Sequence, residues 1–401
     1  MIPKRVLLVD DELEELDGFK ALLEGDEGRW DVVQVGGGRE ALDAIACSSF
    51  DVVVSDLALQ GFDGVELLQA VKRARPTAAR IVLSDESSAD RMGMVRALSA
   101  AHQVVAKPCD VALLKDVVER TCNLQELVAS DAVRSVVGKV SALPAIPRTY
   151  WELSESLSRP NAGLGALAEI VSRDPLMSAR VLQIVNSAYF GLERRISSIR
   201  EAVTFLGVDA LKGLALTAHV FSGGSASLAR SLERLQRGSM AVARLAKGFV
   251  DDPDRSEETF SAAIVHDVGR IVLRMSMPEQ MTALEKSPLR GRRPMHTLER
   301  EALGVTHAEV GAYLLGVWGL PMDLVEVVAY HHEPSRASPE LARVVGAVHA
   351  ADALVDAVLE GSSPEVELDK EFLGSVGMLD RMPRWRALAA TELAWLRDLE
   401  E

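Results

Sequence analysis

Residues 51–56, Asp51-Val52-Val53-Val54-Ser55-Asp56, form a β-branched run that closes on a carboxylate, and their reading decides the fold of the chain's first part. Similar apolar runs stand at 6–9, 32–35, 81–83 and 104–106, separated by helix-length intervals. Those intervals are amphipathic: Leu13, Leu16, Phe19, Leu22 and Leu23 share one helical face, as do Val65, Leu67, Leu68 and Val71. Such alternation predicts a parallel sheet covered by helices on both faces. In open sheets of this kind functional groups gather beyond the carboxyl ends of the strands. The residues that close four of the runs are Asp10-Asp11, Asp56, Ser84 and Lys107. Singly, each has an ordinary reading, since a strand-end Asp caps the next helix and a Lys-Pro pair turns the chain. At successive strand ends they form a set.

Three carboxylates, an ammonium and a hydroxyl at one place repel one another unless a divalent cation sits among them. Magnesium fits, because it takes one or two carboxylates and shares its other positions with water and phosphate oxygens. Asp56, at the end of the central strand, is the phosphoacceptor candidate. Asp10 and Asp11 are expected to hold the metal, with Asp56 and the Ala58 carbonyl completing the protein ligands. Lys107 is expected to pair with the phosphoryl group and Ser84 to donate to it.

At 401 residues the chain exceeds one compact core, so two or three domains are expected. Apolar residues make up 48% and charged residues 26%, a globular profile and not a disordered or membrane one. The apolar stretch at 6–9 is too short for a signal peptide, and no run approaches the roughly 20 residues of a membrane span. Cys47, Cys109 and Cys122 form no CxxC pair, which predicts neither a disulfide framework nor a cysteine zinc site and is consistent with a cytoplasmic address. A net charge of −15 opposes nonspecific nucleic-acid binding. The Arg290-Gly291-Arg292-Arg293 run reads as a solvated loop.

The first segment resembles the receiver domain of bacterial response regulators. The resemblance rests on Val6-Leu7-Leu8-Val9-Asp10-Asp11, Ser55-Asp56-Leu57, Gly61-Phe62-Asp63-Gly64-Val65-Glu66-Leu67-Leu68, Leu83-Ser84 and Ala106-Lys107-Pro108. It implies a flavodoxin-like (CheY-like) α/β domain over 1–125 that takes a phosphoryl group from a sensor histidine kinase. It also implies Mg²⁺ bound by Asp11 and Asp56 with Asp10 assisting. Two positions depart from the family: Val104 stands where an aromatic switch residue is usual, and Gln60 replaces the usual proline of the loop after Asp56. Neither touches the phosphorylation chemistry, but Val104 weakens the expectation of an aromatic-coupled switch.

No Gly or Pro interrupts residues 110–137, and Leu114, Val117, Thr121, Leu124 and Val128 follow three- and four-residue steps. One continuous linker helix is expected, overlapping the last receiver helix across 110–140. Its stripe either packs on its own receiver or forms a two-heptad homodimer seam, and both readings stay open.

From Tyr150 onward the pattern is helical, with Ser197-Ser198 as a cap before an apolar run. Several phrases resemble the HDOD output domain, a relative of the HD phosphohydrolases. They include the run 170–182 around Arg173-Asp174-Pro175, Val185-Asn186-Ser187-Ala188-Tyr189-Phe190-Gly191, the run 199–207 ending Phe205-Leu206-Gly207, Val265-His266-Asp267-Val268-Gly269-Arg270 and Ala329-Tyr330-His331-His332-Glu333-Pro334. The resemblance implies an all-α domain over 141–355, followed by a helical extension over 356–401. It further implies a non-catalytic module, without a metal of its own, that works through contacts with a downstream protein. The rival reading is a metal-dependent phosphohydrolase using His266, Asp267, His307, His331, His332 and Asp352. Three departures oppose it: Gly238 sits at an expected histidine position, Arg270 replaces a lysine, and the Gly-Tyr-Pro segment of cyclic-dinucleotide phosphodiesterases is missing after Pro334. In the bland reading His266 and Asp267 bond to each other and to backbone, while His331 and His332 are polar core and surface residues. His102, His219, His296 and His349 receive no role.

Overall fold

The computed structural model describes residues 3–25, 28–85, 100–108, 111–127, 131–138, 147–157, 163–187, 190, 192, 194–219, 226–290, 292–360, 363–364 and 368–393. Five parallel strands, β1 (Lys4–Val9), β2 (Trp30–Val35), β3 (Val52–Asp56), β4 (Ala79–Asp85) and β5 (Gln103–Lys107), assemble in the order β2-β1-β3-β4-β5. Helices α1 (Leu13–Glu24), α2 (Gly38–Cys47) and α3 (Gly64–Ala74) cross between them. Period-two burial sorts the strand residues onto two faces. Val6, Leu8, Val52, Val54, Ile81, Leu83 and Val105 pack with Leu16, Phe19 and Leu23 of α1. Leu7, Val9, Val53, Val82 and Val104 pack with Ala41 and Ile45 of α2 and with Val65, Leu68 and Val71 of α3.

The expected linker helix is described in two stretches, α4 (Val111–Leu127) and α5 (Asp131–Gly138), with 128–130, and so Val128, outside the described residues. Leu114, Val117 and Thr121 are buried, and Leu114 and Val117 belong to the receiver's own core, so the first half of the stripe packs within its own chain. Helix α5 lies between the two halves of the protein. The Ser276 hydroxyl donates to the Val136 carbonyl at 3.1 Å, and a Cβ on Gly138 would fall 1.7 Å from the Pro76 carbonyl oxygen.

The remainder is helical, as expected. Asp174 caps Pro175–Val185 by accepting from the amides of Leu176 and Met177, with Pro175 in the first turn, where its missing N–H costs nothing. Ser198 accepts from the Glu201 amide ahead of Ile199–His219, in which Gly207 (φ 72°) breaks the helical path. The boundary expected at 355 falls inside Ala342–Glu360. That helix runs on because Val355 and Asp356 are still buried and nothing at 355 stops it. Trp385 of Met382–Glu392 stacks on Phe249 with ring centroids 4.2 Å apart, which docks the expected C-terminal helix on Ala226–Phe249. Ala188, Tyr189, Gly191, Leu396 and Leu399 lie outside the described residues.

The receiver and the helical domain share one apolar cluster. Ala100, Ala101 and Val104 belong to it, as do Leu182, Tyr313, Val317 and Trp318 of the helical domain. Polar bonds pin the junction: the Gln103 side-chain amide donates to the Val317 carbonyl at 3.1 Å, and that of Gln183 donates to the His102 carbonyl at 3.4 Å. Arg80 is 1% exposed there and donates to the carbonyls of Ala78 and Ala100 at 3.1 and 2.9 Å. The Gly138 contact gives a test of this packing. Gly138→Ala is expected to cost about 1–3 kcal/mol through overpacking, read as a lower urea midpoint. Gly163→Ala is the control, because Gly163 caps a helix at φ −71° with open space around its Cβ position. It should stay within about 1 kcal/mol of the parent.

Candidate functional site

Two clusters gather the residues singled out in the sequence. The first stands at the carboxyl ends of the strands. β3 ends on Asp56 and pairs with β4 in a register that sets Asp56 opposite Leu83, so Ser84 lies one residue beyond it, itself opposite Ala106. Lys107 closes β5, and its ammonium meets Asp56 at 2.7 Å and Asp10 at 2.9 Å. Asp10 is fully buried; its burial raises its pKa from the ordinary value, against the lowering pull of the Lys107 bond and the Glu12 amide. The Asp56 carboxylate also accepts from the Ala58 amide at 3.1 Å. Carboxylate atoms of Asp10, Asp11 and Asp56 lie within 4.8 Å of one another, a spacing that suits one divalent ion. Gly64 opens α3 directly against this row, and a Cβ there would fall 2.2 Å from the Asp56 carbonyl oxygen. The glycine of the Asp63-Gly64 phrase is therefore a packing requirement of the loop that follows Asp56.

The second cluster lies inside the helical domain. Gly269 lets Val268–Ser276 cross His307–Val317 closely, since a Cβ there would fall 1.9 Å from the His307 carbonyl oxygen. That crossing brings Asp267 to His307, with Oδ1 and Nε2 at 3.1 Å. His266 Nε2 stands 3.1 Å from Asp352 Oδ1 and 3.7 Å from Asp267 Oδ2. His332 Nε2 meets His307 Nε2 at 2.9 Å, and the rings of His331 and His332 lie 4.0 Å apart. All six residues expected in the rival enzyme reading are thus together, and five of them are buried below a tenth of their surface.

Two residues not foreseen, Glu299 and Asp356, complete the cluster, the second through Arg270. Glu299 is fully buried and accepts from His307 twice, at the ring Nδ1 (2.6 Å) and the backbone amide (2.8 Å). Arg270 binds Asp267 at 2.9 Å and Asp356 at 3.3 Å. A glutamate within the apolar stripe Met295, Leu298, Glu299, and the four-residue step from Asp352 to Asp356, were the available signals. Burial works against charge on His307, yet Glu299 and Asp267 hold its pKa up at about 10. Burial and the neighbouring His266 push His331 down to about 3. The bland reading of a satisfied polar core leaves buried atoms over, His331 Nε2 and Glu299 Oε1 among them, which have no hydrogen-bond partner.

His349 is structural: its Nδ1 donates to the His331 carbonyl and its Nε2 accepts from the Asp369 amide. His296 stacks on His332 at 4.1 Å. Arg293 of the basic run pairs with Glu301, and Arg290 donates to the Glu285 carbonyl.

The family model of the response regulator receiver domain matches residues 6–119, and that of the HDOD domain matches residues 143–334. The chain is a response regulator with an N-terminal receiver domain and a C-terminal HDOD domain. It is 25% identical over 272 residues to an uncharacterized protein of Treponema pallidum (strain Nichols), with 66% of this chain and 52% of that protein covered. The chain thus spans about half the length of that relative. It is 27% identical over 263 residues to protein-glutamate methylesterase/protein-glutamine glutaminase 5 of Myxococcus xanthus (strain DK1622), covering 61% of this chain and 71% of that one. Among solved structures it is similar to the MmoQ response regulator of Methylococcus capsulatus str. Bath, at 22% identity and a TM-score of 0.48, covering 61% of this chain and 98% of that one. Among the described residues no helix is long and apolar enough to cross a membrane.

The geometry of the receiver cluster sets an expectation. Lys107 neutralises two carboxylates that have little access to water, so Lys107→Ala should cost about 3 kcal/mol in the absence of divalent ions. Millimolar Mg²⁺, acting on the same carboxylates, should restore at least half of that loss. Thermal melts with and without Mg²⁺ measure both.

Proposed function

We propose that the receiver accepts a phosphoryl group on Asp56 from a sensor histidine kinase and uses it to loosen the contact between β5 and the HDOD domain. The observation that carries this reading is that one short strand serves both ends. Lys107 at its carboxyl end binds Asp56, and Gln103 at its amino end donates to Val317 of the HDOD domain. A displacement at Lys107 therefore travels only four residues, about 13 Å, to the junction.

An Asp56 carboxylate oxygen attacks the phosphorus of the phosphohistidine donor; the new P–O bond forms as the P–N bond breaks and the imidazole leaves. Asp11 and Asp56, with Asp10 assisting, would hold a magnesium ion, whose charge would neutralise the phosphoryl oxygens. Lys107 exchanges its contact with the free carboxylate for one with a phosphoryl oxygen, and the Ser84 hydroxyl donates to another. The product carries close to two negative charges where the carboxylate carried one, and draws both side chains inward. Hydrogen bonds of 3.1 and 3.4 Å at Gln103 and Gln183 are sensitive to the resulting strand movement. The edge strand itself is thus a direct route from Asp56 to the HDOD domain. A buried Val104 couples by packing where an aromatic switch would couple by rotation.

The HDOD domain acts in this reading through the surface it presents to a downstream protein, not through hydrolysis. Gly238 offers no side chain to the pocket it lines beside Asp267, and Arg270 fills the flank of Asp267 that a substrate phosphate or a second ion would need.

The test is incubation of the full chain with Mg²⁺ and acetyl phosphate, followed by intact-mass measurement and solution mass. One phosphoryl increment is expected, absent in Asp56→Asn. No increment, or an increment that persists in Asp56→Asn, contradicts the assignment.

A further inference from the structure

A cleft of about 600 Å³ opens where four segments of the HDOD domain meet: the end of Leu164–Ser172, the start of Ile199–His219, the second half of Ala226–Phe249, and Pro253–Val265. That is the size of an ordinary small-molecule site. None of its lining residues belongs to the histidine–carboxylate cluster or to the pocket beside Asp267.

Four cations, Arg173, Arg200, Arg244 and Lys247, line the cleft against two carboxylates, Glu169 and Glu257. In a chain of net charge −15 this is a local inversion of sign, and it attracts anions. Lys247 is paired with Glu257. The three arginines, all exposed, are held more loosely. Arg173 stands 4.0 Å from Glu169 and from Glu152, and Arg244 stands 3.8 Å from Glu392, each beyond hydrogen-bond length. Arg200 makes no ion pair among the described residues. Three guanidiniums from three different segments are thus available to one ligand.

A second observation comes from the floor of the cleft. Ser261 lines it while only 1% exposed, and its hydroxyl accepts from the Ile199 amide at 3.3 Å. Among the described residues nothing accepts the Ser261 proton. A buried donor left in this way is costly, and an anionic oxygen in the cleft would satisfy it. Beside the hydroxyl, Ile199, Met240 and Phe260 form an apolar wall. Inorganic phosphate would engage the cations and leave that wall wet; a phosphorylated ligand with a flat apolar part would cover both.

We infer that this cleft binds a nucleoside polyphosphate, with Arg173, Arg200 and Arg244 on its phosphates and its base against Met240 and Phe260. Guanidinium forks match phosphate oxygens two at a time and stay protonated at any working pH. The Phe260 ring, with the Lys247 ammonium 5.7 Å from its centroid, gives a base a flat contact. The site stands in the output domain and takes no part in phosphotransfer, so it supplies the regulator with a second, small-molecule input.

Isothermal titration calorimetry of the full chain with ATP and with GTP tests this, in EDTA so that no Mg²⁺ brings nucleotide to the receiver. Inorganic pyrophosphate is the probe without a base. One equivalent of at least one nucleotide is expected, bound about tenfold or more tightly than pyrophosphate. Arg200→Ala and Arg244→Ala should each weaken it about tenfold. Arg234→Ala, which alters the pocket beside Asp267, should leave it unchanged. Circular dichroism reports whether each variant is folded, and if one arginine variant is not, the other decides. No binding of either nucleotide by the parent, equal affinity for pyrophosphate, unchanged affinity in a folded Arg200 or Arg244 variant, or loss in a folded Arg234→Ala overturns the assignment.

Discussion

The Lys107 ammonium, 2.7 Å from Asp56 and 2.9 Å from Asp10, is the contact on which the receiver's organisation depends. Asp10 is fully buried, and a carboxylate in that position survives only with a cation beside it. The requirement fixes where β1, β3 and β5 end relative to one another. It also explains why the site is chemically poised, since the same lysine that stabilises the resting carboxylates is available to a phosphoryl oxygen. Gly64 adds a steric condition at the carbonyl of Asp56, so that residue is held from both its side chain and its backbone.

From that contact β5 leads to the junction of the two domains. There apolar packing supplies the bulk of the contact, through Val104, Tyr313, Val317 and Trp318, while Gln103 and Gln183 set the register. Arg80 is nearly fully buried, and burial lowers its pKa to about 10. A guanidinium placed in this way makes the junction a costly surface to expose. In the function we propose, it is this junction that phosphorylation of Asp56 would release.

Much of the receiver was legible because period-two burial and strand-end chemistry are local signals. The runs around Val6, Val32, Val52, Ile81 and Val104 fall within the observed strands, and Asp10, Asp11 and Asp56 converge. The helical character of the second domain was legible for the same reason, through the Asp174-Pro175 cap and its apolar stripes. The domain junction was not. Gln103, Gln183 and Arg80 are ordinary polar residues in sequence, and their burial comes only from the packing of distant elements. In the HDOD cluster the histidines were visible as motifs, but the ring orientation set by the Ala263 and Val328 carbonyls belongs to backbone geometry that no spacing announces.

The central claim is that Asp56 phosphorylation loosens the junction built on β5. Hydrogen exchange of the full chain, with and without acetyl phosphate in Mg²⁺, measures it directly, because amide protection reports local opening. Faster exchange is predicted at residues 100–104 and 313–319 on phosphorylation, and no change there in Asp56→Asn under the same treatment. A fully phosphorylated chain whose exchange at both segments matches that of the unmodified protein would contradict the account.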